Sequence, residues 1–113
     1  MKAGSGPAVA LFRSLGDPTR LAIVQQLATG EQRVVDLTRA LGLAQSTVSA
    51  HLACLADCGL VVSRPAGRAS MFCLTQPSLM QLLASAEELL AATGFAVDLC
   101  PNYGDDCARG RTA

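Results

Sequence analysis

Several features that would place a chain of this size in other classes are missing from this sequence. No apolar run approaches the roughly 18 to 20 residues that a membrane-spanning helix needs. Only 16% of the 113 residues are charged and half are hydrophobic, which is not the composition of a disordered chain. A single histidine leaves no recognisable pairing of a nucleophile with a base, which disfavours a thiol enzyme. The composition therefore predicts one folded globular domain that is not an enzyme.

The location of the protein decides how its five cysteines are interpreted. The opening MKAGSGPAVALF has one lysine and a short apolar patch, unlike a secretory signal, so a cytoplasmic location and no membrane partner are expected. In a reducing compartment, scattered cysteines are more often metal ligands or reactive thiols than disulfide partners. For any individual cysteine, a small buried hydrophobe remains the simple alternative.

The net charge is zero, but the charges are unevenly distributed along the chain. Residues 1–80 contain seven basic and four acidic side chains, a net charge of +3. Residues 81–113 contain two basic and five acidic side chains, a net charge of −3. A basic front and an acidic tail are compatible with DNA binding, although so small an excess is weak evidence alone.

The first half of the chain has the spacing of apolar residues that is typical of helices. A short helix is predicted over residues 8–15. The next helix has Asp17 as its N-cap and Pro18 at its first position, and Gly30 closes it. The residues expected to face the core from these two helices are Val9, Phe12, Leu15, Leu21, Ile23, Val24 and Leu27.

Two further helices joined by a tight turn predict a helix-turn-helix. The first ends at Gly42, a residue suited to a left-handed exit, and the second starts after Ala44. Val48, Leu52 and Leu55 are expected to face the core. The opposite face of the second helix is small or polar and includes Gln45, Ser46, Ser49, Ala50 and Ala53. This face either is simply solvated or enters a DNA major groove, where Gln and Ser can bond base edges or phosphates.

The next segment, LVVSRPAGRASMFCL, favours the DNA interpretation. It predicts strands over residues 60–64 and 69–74 around a turn with Arg64 and Arg68. A hairpin directly after a helix-turn-helix indicates a winged helix, so the fold class is mainly α with a small β-hairpin. The two arginines would reach phosphates or a minor groove, rather than being merely solvated.

A long helix from Pro77 to about Thr93 carries an apolar stripe that the domain's own core is too small to cover. We therefore expect a homodimer through residues 8–15 and 76–93. The domain is expected to span residues 1–95, followed by a mobile cysteine-containing tail over residues 96–113. The stripe consists of Leu79, Leu82, Leu83, Ala86, Leu89 and Leu90.

In these stretches, LFRSLGDPTRLAIVQQLATGE, DLTRALGLAQSTVSAHLACLADCGLV and GRASMFCL, the chain resembles the ArsR/SmtB family of metal-responsive repressors. The resemblance covers roughly residues 9 to 92. It implies a dimer that represses its own operon and leaves double-stranded operator DNA when metal binds. In the family's STVSxHLxxL motif Thr47 joins the candidate DNA contacts. Ala44 departs from the family, which usually has Ser or Thr as the N-cap there.

Members of this family place their metal sites differently, and two of the known arrangements are missing here. The stretch EQRVVDL lacks the Cys-x-Cys box of the arsenic type, and residues 76–93 contain no His or Asp for a zinc site on the last helix. Cys54 and Cys58, followed by Gly59, match the CxxxCG pattern of the cadmium- and lead-sensing class. The resemblance implies Cys100, from the partner's tail, as the third ligand, with Cys107 as a further candidate.

The chemistry of the cysteine pair supports a soft metal. Side chains at i and i+4 share a helix face with Cβ atoms about 5–6 Å apart, a span that one metal ion can bridge. Three thiolates form a soft site suited to Cd(II), Pb(II), Hg(II) or Cu(I). The resemblance implies Cd(II) or Pb(II) as the effector, with Hg(II), Zn(II) and As(III) as others. Cys58 lies at a helix C-terminus, which disfavours a low-pKa redox thiol. The alternative is a redox- or persulfide-responsive repressor of the same fold. Cys73, in a strand, is expected to be structural, and His51 is expected to be packed or phosphate-facing.

Overall fold

The computed structural model of the protein describes residues 4–100. In chain order its elements are α1 (Gly6–Leu15), α2 (Pro18–Leu27), β1 (Gln32–Arg33), α3 (Val34–Leu41), α4 (Gln45–Asp57), β2 (Val61–Ala66), β3 (Ala69–Leu74) and α5 (Pro77–Ala92). The three strands form an antiparallel sheet with β3 in the middle. The chain is a mainly helical winged helix-turn-helix, which confirms the predicted fold class. No helix within the described range is long and apolar enough to cross a membrane.

Two helix ends follow the capping signals in the sequence, whereas α2 ends at Leu27, three residues before the predicted Gly30. The Asp17 carboxylate accepts a hydrogen bond from the backbone N–H of Arg20 at 2.9 Å, and this bond holds the pKa of Asp17 below its usual value. Gly42 ends α3 with a left-handed φ of +67°. Ala44 precedes α4 without any side-chain cap, so the recognition helix starts without that stabilising bond.

The core lies where the inner faces of α2, α3 and α4 meet β3 and α5. Val48, Leu52 and Leu55 of α4 are buried, as predicted from their spacing. Leu79 and Leu83 pack in the same cluster, so these two residues of the predicted dimer stripe are covered by their own chain and not by a partner. The fully buried large side chains of the core are Ile23, Val24, Leu27, Leu37, Val48, Leu52, Leu55 and Leu74.

The wing differs from the predicted hairpin in its turn and in its sheet. β2 runs on to Ala66, so the turn consists of Gly67 and Arg68 alone instead of the predicted five residues. Gly67 has a φ of +65°, the value expected of glycine at the first position of a tight II′ hairpin turn. A third strand, β1, pairs Gln32 with Phe72. The sequence does not predict this strand, because two polar residues carry no alternating pattern.

One prediction about α1 is wrong for the single chain. Val9 and Phe12 were expected to face the core, but they are 48% and 61% exposed. Phe12 borders a groove that is also lined by Leu82 and Ala86 of α5. Farther along α5, Leu89 is 66% exposed. We call Val9, Phe12, Leu82, Ala86 and Leu89 the α1–α5 apolar surface.

Candidate functional site

The exposed face of α4 is the candidate DNA-reading surface. Gln45, Ser46 and Ser49 are exposed, and Thr47 is half-buried. They lie in the first two turns of a helix whose opposite face is anchored in the core. Small side chains at this end leave room for the helix to approach a groove closely, and the hydroxyl and amide groups can bond base edges. The four residues remain predicted DNA contacts.

The two wing arginines have different surroundings. Arg64 lies within β2, opposite Met71, and not at the tip of the wing. Its guanidinium makes two hydrogen bonds with the Glu31 carboxylate, at 2.7 and 2.6 Å. This pairing lowers the pKa of Glu31 and ties the wing to the segment before β1. Arg68 lies in the turn and makes no ion pair within the described part of the chain. It is therefore the arginine better placed to contact phosphate.

Replacing Arg68 by alanine should weaken binding to all DNA sequences and reduce the salt dependence of binding. One phosphate contact per wing contributes about 0.9 to the slope of log K against log salt concentration, so a dimer should lose about 2. Arg68→Lys, which keeps the charge, should retain the slope. The slope is measured by fluorescence anisotropy at several salt concentrations. An unchanged slope in Arg68→Ala would show that the wing does not contact phosphate.

Cys54 lies in the last turn of α4, and Cys58 is the C-cap residue that follows it. The backbone N–H of Cys58 donates to the carbonyl of Cys54 at 3.1 Å, so the helical i, i+4 relation is intact. Both residues are exposed and neither forms a disulfide. The Cys58 sulfur is 3.2 Å from the hydroxyl of Ser14 in α1. The pair can therefore accept a metal ion without any loss of core packing.

Cys100 is held on a different part of the same chain. Its backbone N–H and that of Leu99 donate to one oxygen of the Glu87 carboxylate, at 2.9 and 2.5 Å. Its sulfur lies 3.8 Å from the carbonyl oxygen of Met80 in α5. These contacts dock the start of the predicted tail against α5. Cys107 and the rest of that tail lie outside the described residues.

The three predicted thiol ligands do not come together in one chain. Over residues 4–100, no group of three or more His, Cys, Asp or Glu side chains is placed to hold a metal ion. Two exposed thiols suit a thiophilic ion but leave its coordination incomplete. This donor set fits a soft metal only if a further ligand is supplied by a partner chain or by movement of the tail.

Cys73 and His51 occupy the places expected of structural residues. Cys73 is 5% exposed in the middle strand β3, so its sulfur is not displayed on the surface as those of Cys54 and Cys58 are. His51 is half-buried, with Nδ1 3.5 Å from Nη1 of Arg20. The Arg20 side chain also donates to the carbonyl of Ser14 at 3.2 Å. Arg20 therefore links α4 to the end of α1, a role that periodicity alone could not reveal.

The Glu87 contact leads to a test of how the tail is docked. Glu87→Ala should free the backbone N–H groups of Leu99 and Cys100, because both donate to the same carboxylate. Their hydrogen exchange should accelerate about tenfold or more, while the amides of α4 keep their protection. Glu88→Ala removes the neighbouring exposed carboxylate and is the matched control. Equal exchange rates in the two variants would show that Glu87 does not hold the segment.

An exposed polar helix face beside a hairpin wing, on a helix-turn-helix core, is the arrangement of winged-helix transcriptional regulators. The family model for "Bacterial regulatory protein, arsR family" matches residues 17–63. The chain belongs to this family, also known as ArsR/SmtB, as the identities to its relatives show.

Two relatives and one solved structure that are similar to this chain have names that state a function. The chain is 37% identical over 89 residues to a probable mercury resistance operon repressor of Streptomyces lividans, covering 79% of this chain and 71% of that protein. It is 39% identical over 82 residues to the transcriptional regulator CmtR of Mycobacterium tuberculosis, which covers 73% of this chain and 70% of that protein. The NMR structure of the cadmium metal-sensor CMTR from the same species superposes with a TM-score of 0.57 at 40% identity. The superposition covers 80% of this chain and 90% of that chain.

Proposed function

We propose that this regulator is a metal-sensing repressor that binds operator DNA as a homodimer without metal and is released by Cd(II) or Pb(II). The observation that carries the proposal is a pair of exposed thiols, with Cys54 in the last turn of the DNA-reading helix and Cys58 at its C-cap. A metal ion bound there acts on that helix directly. The relatives named for cadmium sensing and mercury resistance support an effector of the thiophilic class.

The third ligand is proposed to be Cys100 of the partner subunit. Within one chain, Cys100 is docked on α5 and the described residues form no three-ligand cluster. In a twofold dimer the tail of one chain can lie beside α4 of the other, so two equivalent sites are completed by symmetry. A trigonal set of three thiolates favours Cd(II), Pb(II) or Hg(II) over hard ions such as Mg(II).

The homodimer is proposed to form through the α1–α5 apolar surface. Phe12 and Leu89 are large apolar side chains that are 61% and 66% exposed in the single chain, an arrangement typical of a surface that a partner covers. A twofold axis through this surface would present two α4 helices to successive major grooves, about 34 Å apart on a pseudo-palindromic operator.

Release from DNA requires only a modest coupling between the two sites. A tenfold to hundredfold loss of operator affinity corresponds to about 1.4 to 2.7 kcal/mol. Drawing the carboxy-terminal segment, which includes Asp98, toward α4 would bring negative charge near the DNA phosphates. Metal binding would also restrict the tilt of a helix that has to fit the groove.

The experiment is a titration of the reduced apo-protein with Cd(II), Pb(II), Hg(II) and Zn(II) in the presence of labelled operator DNA, selected from a random-sequence pool by the protein itself. Thiolate-to-metal absorption and DNA anisotropy are followed together. Metal sensing is supported if the DNA is released at the same metal concentrations at which the thiolate-to-metal absorption increases. Release by a persulfide or peroxide instead, with a disulfide or polysulfide between Cys54 and Cys58 seen by mass spectrometry, would assign the site to thiol oxidation.

A further inference from the structure

Ser14 is the one polar residue that is buried within residues 4–100, at 6% exposure. Its hydroxyl oxygen lies 3.2 Å from the sulfur of Cys58, which is 44 residues away in sequence. Its carbonyl accepts a hydrogen bond from Nε of Arg20 at 3.2 Å, which anchors this turn of α1 to α2. The Ser14 hydroxyl is therefore held in place at the end of α4, against one of the two exposed thiols.

The direction of this hydrogen bond depends on whether the sulfur carries a proton. In the metal-free thiol either group can donate. A metal-bound sulfur is a thiolate and can only accept, so Ser14 must then be the donor. A donor to a metal-bound sulfur fixes its orientation and stabilises its charge, and losing such an outer contact typically costs 10- to 100-fold in metal affinity.

We infer that Ser14 is a positioning residue of the metal site, which donates its hydroxyl proton to the Cys58 thiolate and holds that sulfur against α1. The inference rests on the proposed function and deepens it. It names a residue outside the ligand set, on a helix for which the sequence predicts only core and dimer contacts. It also gives bound metal a direct connection to α1, which carries Val9 and Phe12 of the α1–α5 apolar surface.

The test uses Cd(II) binding to the full-length reduced protein with the Ser14→Ala and Ser14→Thr substitutions. Removing the hydroxyl raises the energy of the sulfur lone pairs, so the sulfur-to-Cd(II) charge-transfer band of Ser14→Ala should move to longer wavelength. The Cd(II) affinity should fall about tenfold. Ser14→Thr keeps the hydroxyl and should restore the band. Ser78→Ala removes an exposed serine hydroxyl from another helix and should match the unmodified protein.

The band position decides the outcome, because affinity also responds to general changes in stability. A band that does not move in Ser14→Ala overturns the inference, even if the affinity falls. The Cys58→Ser variant separates this failure from a failure of the proposed function. If the Cys58→Ser substitution weakens the sulfur-to-Cd(II) absorption while the band of Ser14→Ala stays at its original wavelength, Cys58 is a ligand and Ser14 does not donate to it as inferred. If Cys58→Ser absorbs like the unmodified protein, Cys58 is not a ligand and both proposals fail.

Discussion

The Cys54→Ser and Cys58→Ser proteins should bind operator DNA as tightly as the unmodified protein, and neither should release it when Cd(II) or Pb(II) is added. Both positions are exposed, so replacing sulfur by oxygen removes no core packing and should change stability by no more than about 0.5 kcal/mol. The hydroxyl is a poor ligand for soft ions, so the site loses one of its proposed thiolates. The expected tenfold to hundredfold release by metal should disappear.

The controls for this experiment come from the same chain. Ala56→Ser places a hydroxyl on an exposed neighbouring position of α4 while both thiols remain, so its release by metal should be unchanged. Cys100→Ser should weaken metal binding and reduce release, as expected for the third ligand. Anisotropy of labelled operator DNA, with and without saturating metal, measures both properties. If metal fully releases either Cys54→Ser or Cys58→Ser from the operator DNA, the thiol at that position plays no part in the response.

The second large effect is expected at the proposed dimer surface. Phe12→Asp and Leu89→Asp should each give a folded monomer that no longer binds operator DNA with measurable affinity. Both side chains are mostly exposed in the single chain, so an aspartate there is hydrated in the monomer. In the dimer it would be buried without a partner, which costs several kcal/mol per chain. Loss of the dimer halves the number of DNA contacts and removes the paired arrangement of the two helices.

Sedimentation at micromolar concentration and circular dichroism together test this prediction. Val35→Asp is the matched control, because Val35 is an apolar side chain of α3 that is 41% exposed outside the α1–α5 apolar surface. It should remain dimeric. Leu83 also belongs to the apolar stripe of α5, but an aspartate there would not test the dimer surface. Leu83 is 3% exposed and lies in the core of its own chain. A Leu89→Asp protein that sediments as a dimer would contradict the proposed surface.

Much of the fold could be predicted because local signals and burial agree. Asp17 and Pro18 start α2, Gly42 ends α3, and the spacing of Val48, Leu52 and Leu55 identifies the buried side of α4. Periodicity reports which residues are apolar and regularly spaced, but not which partner covers them. For this reason Phe12 was expected in the core, whereas α1 packs on α2 in a way that leaves it exposed.

The pattern of the wing could not reveal the long-range partner of Arg64. The position of Arg64 near Pro65 and Gly67 predicts that it lies in a turn. In the structure β2 continues past Arg64, because the tight turn needs only Gly67 and Arg68. Glu31, which pairs with Arg64 across 33 residues, cannot be identified by spacing. The same holds for Ser14 with Cys58 and for Glu87 with Cys100. Contacts of this kind depend on how the helices pack, whereas the Cys54 and Cys58 pair follows from helical spacing alone.

The most direct test of the metal-sensing proposal is a single Cd(II) titration of the reduced protein on labelled operator DNA, with absorption and anisotropy recorded in the same samples. For the unmodified protein, thiolate absorption and DNA release should rise together and saturate at two metal ions per dimer. The Cys54→Ser/Cys58→Ser double variant should show neither change while it keeps its DNA affinity. If that double variant releases DNA at the same Cd(II) concentration as the unmodified protein, the two thiols are not the sensor and the proposal is wrong.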